Sequence, residues 1–241
     1  MIVTSFNILA DVFIDFDNSE LEYPTIKKEM LRMRNRFNIL IKYIKGDIIM
    51  LQEVTPYIRS KLISIFGDKY IILPLSIHIS NIRKTGNLTL IKSNKFKKIK
   101  HTTLYMPRRT SNNAVSVANI TLSSNYHLDI YNIHLDDKSN TTRKQELKYI
   151  ISTFDKTRKI IIGGDFNSDS QKLHHMLKDF EINITPKSTY LCESPMIDYI
   201  YTYGFKNSDG YIHNTLNTDN CYQKTISKYG SDHHPIYVHV K

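Results

Sequence analysis

The chain has 241 residues, which suits one domain or two small ones, and its 41% hydrophobic content can supply a substantial core. Lysine and arginine number 33 against 23 aspartates and glutamates, a formal net charge of +10, so the expected partners are polyanions, nucleic acid first and an anionic membrane second. Two cysteines, Cys192 and Cys221, exclude a disulfide scaffold and form no metal-finger spacing; both read as plain thiols in a reducing compartment.

Taken in chain order, Ile2 to Leu9 is a β-branched run with no basic lead and no small-residue cleavage site, so it reads as a strand and not as a signal peptide. Ile26, Met30, Met33, Phe37, Leu40, Ile41 and Ile44 recur at helical spacing. Strand patterns follow at Asp47 to Leu51, Tyr70 to Pro74, Leu88 to Ile91, Ala114 to Leu122 and His127 to Ile133, with a helical stripe of Ile58, Leu62 and Ile65 among them. A basic run of Lys92, Lys95, Lys97, Lys98 and Lys100 reads equally well as a phosphate-reaching patch or as a solvated edge that discourages strand addition. Asn125 marks a hairpin turn, so some pairing is antiparallel. Leu147, Ile150, Ile151 and Phe154 make a helix opened by Thr141 or Thr142, and Leu173, Met176, Leu177 and Phe180 make another. Strands at Lys159 to Ile162, Ile197 to Thr202 and Pro235 to Val240 complete the set. Many strands with interleaved helices predict α/β layers, two stacked mixed sheets with helices outside. No apolar run approaches the ~20 residues of a membrane span, so an intracellular chain, in cytoplasm or nucleus and without stable membrane association, is expected.

The informative pattern is where polar groups fall relative to strands. Asn7 lies near the end of the first strand, and Asp47–Leu51 runs into Gln52 and Glu53. His127–Ile133 runs into His134, and Lys159–Ile162 into Gly163, Gly164, Asp165, Phe166 and Asn167. Asp198 opens a strand, and Asp232 and His233 precede the last one. A layered sheet builds its site from such strand ends, and several converging carboxylates require a cation. Singly each group has a plainer explanation: a capping acid, an ordinary Gly-Gly-Asp-x-Asn turn, a core histidine, a solvated loop.

Together, Ser-Phe-Asn-Ile-Leu, Leu-Gln-Glu-Val, Asn-Ile-His-Leu, Gly-Gly-Asp-Phe-Asn-Ser, Ile-Asp-Tyr-Ile and Ser-Asp-His-His-Pro resemble, in order and from end to end of the chain, the deoxyribonuclease I-like endonuclease/exonuclease/phosphatase superfamily. The resemblance implies a four-layer α/β-sandwich formed by residues 1–241 as one catalytic domain, with the site between the rims of two packed sheets. It implies Glu53 as principal metal ligand with Asn7 beside it and Asp232 assisting. Oxygen donors of this kind suit Mg²⁺, with Mn²⁺ as a substitute. Asp165 and Asn167, whose spacing of two suggests one side of an extended segment, would activate the attacking water. His233, partnered by Asp198, would stabilise charge on the phosphate, and His134 would be a second phosphate ligand and acid. One departure stands out: many of the family's nucleases carry an acid two residues after the first-strand Asn, where this chain has Leu9.

The substrate expected from this resemblance and the charge is nucleic acid, RNA or DNA, handled by a monomer. The stretch around Asn-Ile-Leu-Ala-Asp, Tyr23-Pro24, Arg34 and Arg36 is similar to nocturnin-type deadenylases. Leu-Gln-Glu-Val-Thr-Pro-Tyr looks like the 5′-tyrosyl-DNA phosphodiesterases. Arg108, Arg109 and Arg143 are candidate phosphate contacts, and Tyr57, Tyr105 and Tyr190 are candidates for base stacking or for packing. Two alternatives stand beside a nuclease: a phosphatase or phospholipase on phosphoinositide or sphingolipid headgroups, and a non-catalytic nucleic-acid-binding relative.

Overall fold

The described residues form twelve strands: β1 (Ile2–Asn7), β2 (Ile48–Val54), β3 (Tyr70–Ile72), β4 (Gly86–Lys92), β5 (Lys98–Tyr105), β6 (Ala114–Ser123), β7 (Tyr126–His134), β8 (Lys159–Asp165), β9 (Glu181–Ile182), β10 (Asp198–Tyr203), β11 (Ser208–Ile212) and β12 (Ile236–Val240). They come from a computed structural model that describes residues 1–16, 28–78, 81–96, 98–107, 111, 113–123, 126–182, 189, 196–206, 208–212 and 221–241. One sheet has the order β11-β12-β1-β2-β4-β3 and the other β5-β6-β7-β8-β10-β9. Each is built around one parallel pair, β1 with β2 and β7 with β8, and its other pairings are antiparallel.

Side-chain alternation on these strands makes the layers. In β2, Ile48 and Met50 pack into the core shared with Ile130, Ile161 and Ile162 of the second sheet. Ile49 and Leu51 point the other way, against Met33, Leu40 and Tyr229 of the covering helices. The second sheet is covered by the helix Asn140–Ser152 through Leu147 and Ile150. Helix, sheet, sheet and helix give the four layers that the sequence predicts.

Between the sheets, toward one end, the filling turns polar. Gln52 of β2 donates its amide to Asn132 Oδ1 of β7 at 2.8 Å, and Asn132 Nδ2 donates back to the Leu51 and Leu88 carbonyls at 3.1 and 3.0 Å. Thr89 and Ser116 continue the chain at 3.0 Å, and Ser116 reaches His101 at 3.3 Å. Gln52, Thr89, Ser116 and Asn132 are buried, and their mutual bonds offset the desolvation that burial imposes.

Several elements differ from the sequence reading for identifiable reasons. The stripe from Met30 to Ile44 is broken at Arg32, which is extended; helix Met33–Leu40 begins there, and the N–H of Met33 is taken by the carboxylate of Asp11 at 2.6 Å. Helix Asn140–Ser152 is capped by Ser139, which accepts from Thr142 N at 3.2 Å, so the cap lies two residues before Thr141. The stripe Leu173–Phe180 forms only a short helix, Gln171–His174, followed by a 3₁₀ turn. Lys98 and Lys100 belong to β5, the outermost strand of the second sheet, and face outward from it. The β6–β7 pairing is antiparallel as the hairpin reading requires, while Asn125, Ile26 and Cys192 lie outside the described residues. Among the described residues no helix is long and apolar enough to cross a membrane.

Candidate active site

The ends of β1 and β2 meet the ends of β7 and β8 at one rim. In β1–β2 the register pairs Asn7 with Gln52, which sets Asn7 beside Glu53. Glu53 sits at a bulge of β2 with φ +61°, a conformation that is uncommon for a side-chain-bearing residue and persists only where surroundings impose it. Its carboxylate is held by Asn7 Nδ2 at 2.8 Å and by the N–H of Ala10 at 2.8 Å. Leu9, at φ +53°, turns its N–H back to Asn7 Oδ1 at 3.1 Å. That bond orients the amide, so Asn7 presents its NH₂ and not its carbonyl to the acids.

A buried arginine fixes this corner. Arg36 donates to the carbonyls of Ile8 at 2.6 Å and Gly230 at 2.7 Å, and also to those of Leu9 and Leu31, with Asp11 at 3.4 Å. It joins the turn after β1 to the loop that carries Ser231, Asp232 and His233. Burial lowers its pKa, while Asp11, Asp232 and Glu53 oppose that shift.

In the second sheet the register aligns three site residues on one level: His134 of β7 and Asp198 of β10 both pair with Asp165 of β8. Gly164 makes this close approach possible. At φ +146° it brings its backbone so near β7 that a Cβ would lie 1.9 Å from the Ile133 carbonyl. Asn167 is left-handed at φ +50° and turns its N–H to Asp165 Oδ1 at 2.8 Å, while its side-chain amide donates to Leu135 O at 2.9 Å. The strand has ended at Asp165, so Asp165 and Asn167 do not share one side of an extended segment; a turn brings them together instead.

The two halves touch across the gap. Asn7 Nδ2 donates to Asp165 Oδ2 at 3.0 Å, and His233 Nδ1 meets Asp198 Oδ2 at 2.8 Å. The Nε2 atoms of His134 and His233 each lie 3.7 Å from Asp165 Oδ2, and Asp232 Oδ1 lies 4.0 Å from His233 Nε2. Burial pulls the His233 imidazole down, but Asp198, Asp232 and Asp165 together hold it well above its ordinary value. Burial pushes Asp198 up to about 6, against the pull of His233 and with Asp165 adding to the rise. Glu53 is also raised, first by burial, with Asp232 raising it further and His134 opposing.

The donor set fits a hard divalent cation. Asp165 and Asp198, which cluster with His233 so that their ligand-type atoms lie within 4.8 Å of one another, supply carboxylate oxygens, and Glu53 and Asp232 add two more carboxylates beside them. One side-chain oxygen of Asp198 is buried without a hydrogen-bond partner among the described residues. Four carboxylates in this enclosure face two imidazoles and one guanidinium, so oxygen donors are in surplus and would hold a divalent cation.

All eight catalytic and metal candidates named from the sequence, Asn7, Glu53, His134, Asp165, Asn167, Asp198, Asp232 and His233, therefore stand at this rim. Arg143 does not present a free guanidinium: it is buried and donates to Asp136 O at 2.7 Å and Asn140 Oδ1 at 2.5 Å, bracing the loop after His134. Arg108 and Arg109 lie outside the described residues. Sequence reasoning missed the roles of three contributors. Arg36 is named only within the stretch similar to nocturnin-type deadenylases, and its hold on four backbone carbonyls is not legible there. Glu146, which accepts from Asp136 N at 2.8 Å and Asn113 Nδ2 at 2.9 Å, steadies the same loop as Arg143. Ser231 ties its loop to Asn7 O at 2.7 Å, and its place beside Asp232 was the available signal.

A pair of facing mixed sheets with acids, an amide and imidazoles gathered at one rim defines the α/β-sandwich hydrolases that act on phosphoesters. Residues 4–233 match the Endonuclease/Exonuclease/phosphatase family, and the chain belongs to that family, whose enzymes generally use a divalent metal. Solved structures with the same fold include ANGEL2, a 2′,3′-cyclic phosphatase, with TM-score 0.78 and 16% identity over 98% of this chain and 93% of that one. The human Nocturnin catalytic domain with bound sulfate anion has TM-score 0.73 and 15% identity over 100% and 93% of the two chains. Truncated Caenorhabditis elegans TDP2 has TM-score 0.65 and 15% identity over 99% and 96%. At these identities the likeness is one of fold. No curated protein matches the chain in sequence.

Proposed function

We propose that the chain is a Mg²⁺-dependent phosphodiesterase that hydrolyses phosphodiester bonds of nucleic acid, with Mn²⁺ able to replace Mg²⁺. The observation that carries this reading is the position of Asp165: its carboxylate is bonded by Asn7 from the facing sheet and flanked at 3.7 Å by the Nε2 atoms of both His134 and His233. Glu53 and Asp232 would hold the cation, with Asp165 and Asp198 facing the same enclosure, and the ion when bound would neutralise charge on the phosphate. Asp165 accepts a proton from the attacking water, and Asn167 keeps that carboxylate in place through its backbone N–H. His233, held as imidazolium by Asp198, donates to a phosphate oxygen as negative charge develops there. His134, whose Nε2 also lies 3.7 Å from Asp165 Oδ2, protonates the leaving oxygen as its bond to phosphorus breaks.

The net charge of +10 supports a polyanionic substrate over a small phosphate ester. Within nucleic acid the candidates are a 3′ poly(A) tail, a 5′-tyrosyl DNA end and, by likeness to ANGEL2, an RNA end bearing a 2′,3′-cyclic phosphate. These three, with abasic duplex DNA and a phosphoinositide, form the test panel, each assayed with Mg²⁺ and with EDTA. The expected result is metal-dependent turnover of at least one nucleic acid and none of the lipid. Turnover of the phosphoinositide alone would replace this reading with a lipid phosphatase, and binding without turnover on any substrate would leave a non-catalytic relative.

A further inference from the structure

Beside the site the rim carries apolar and aromatic surface that neither the fold nor the hydrolytic chemistry requires. Tyr105 ends β5 and is 46% exposed. Register places it on the level of the chemistry: Tyr105 pairs with Ala114, and Ser116 pairs with Asn132, so Ala114 stands at the height of His134. Two strand spacings separate β5 from β7, roughly 10 Å. Its ring meets that of His78 in a T-shaped contact, with centroids 5.8 Å apart and planes at 78°, and His78 belongs to the β3–β4 loop of the first sheet.

That loop leads into β4 at Gly86, which pairs with Val54, the residue after Glu53. It is a built turn. Asn81 accepts from Arg83 N at 3.0 Å through its side chain and donates to Thr85 O at 2.9 Å, and Lys84 N bonds Asn81 O at 3.1 Å. At its tip Ile82 is 90% exposed. The guanidinium carbon of Arg83 stands over Phe13, 4.7 Å from the ring centroid, and Phe13 follows closely on Ala10, whose N–H holds Glu53. A hydrogen-bonded turn that holds an isoleucine in water and a half-exposed tyrosine ring packed on a histidine both point to a ligand with an apolar flat face.

We propose that Tyr105, packed against His78, with Ile82 on the turn that follows His78, forms a platform for an unpaired nucleobase next to the scissile phosphate, so that the substrate is engaged as a single strand. This rests on the nucleic-acid reading of the same site and narrows it. Stacking on an aromatic ring needs an exposed π-face, which a base inside a duplex does not offer, and it tolerates any base. The chain's net positive charge favours the phosphate backbone, and the platform discriminates strand state.

The test is fluorescence anisotropy with a short labelled single strand and with the matching duplex, in EDTA so that binding is read without cleavage. Wild type is expected to bind the single strand more tightly than the duplex. Tyr105→Ala should weaken single-strand binding about tenfold and leave the duplex unchanged. Tyr105→Phe, which keeps the ring, should bind as wild type does, and Ile82→Ser should show a smaller loss. Equal single-strand binding by Tyr105→Ala and wild type, or an equal loss on the duplex, would overturn the platform. Loss of turnover on the nucleic-acid panel would instead strike the hydrolytic reading, since these binding outcomes do not depend on it.

Discussion

In the first sheet the site residues stand on backbone that their own side chains disfavour; in the second, the unusual backbone falls on residues that tolerate it. Leu9 and Glu53 both have positive φ and are held there by Ala10 N, Asn7 and the carbonyl grip of Arg36. Opposite them, Gly164 and Asn167 take the positive φ values, and His134, Asp165 and Asp198 remain in regular register. The first half-site is thus imposed by its neighbours, at about 1–3 kcal/mol per strained residue, whereas the second is set by its own strand. Removing support should unsettle the first half from a distance, and only a change in the strand itself should unsettle the second.

The largest effect comes from breaking the contact between halves. His233→Ala is expected to lower turnover about a thousandfold with the fold intact, checked by initial rates beside a thermal melt. Gly164→Ala attacks the second half in its own strand. Its Cβ would fall 1.9 Å from the Ile133 carbonyl, and we expect a loss of about 3 kcal/mol or more in urea unfolding. Arg36→Met attacks the first half from outside and leaves the carbonyls of Ile8, Leu9, Leu31 and Gly230 without their donor. About 3 kcal/mol should be lost with turnover falling alongside, and Arg36→Lys should recover little, because an ammonium lacks the planar fork. A stable, fully active Arg36→Met would erase the contrast between the halves.

The smallest effect lies away from the rim and sharpens the comparison as a control. Burial alone would raise Asp47, but Lys95 at 2.8 Å, the N–H of Ile2 at 2.9 Å and Lys92 hold it below 3.8. A depressed carboxylate contributes stability that is complete above its unfolded pKa and is lost as pH falls through the lower folded value. Wild type should therefore lose about 1 kcal/mol more than Asp47→Asn when acidified below about pH 4, and the two should keep equal metal dependence at neutral pH. Parallel acid titrations of the two proteins would contradict this.

The central strands are legible because β2, β7, β8 and β12 are apolar runs between polar ends, and the acids and histidines of the site mark those ends. Strand β5 is hidden because its inward face is polar: His101 and Thr103 meet Ser76 at 3.2 and 3.0 Å, so the alternation of hydrophobic and charged residues that signals a half-buried strand is missing. The helix break at Arg32 depends on Asp11, far back in the chain, taking the N–H of Met33. Gln52 and Asn132 read as parts of motifs, yet their bond between the sheets joins residues 80 positions apart. Asn7 was legible as a site residue but not as a donor, because its orientation depends on the turn at Leu9.

The account stands or falls on whether acids from the two sheets serve one site. Mg²⁺-dependent cleavage of a labelled nucleic acid by Glu53→Ala, Asp165→Ala and the double variant measures this directly. If they act as a unit, each single substitution removes nearly all turnover and the double is scarcely worse. Full activity in either single variant, or losses that multiply as for independent sites, would contradict it.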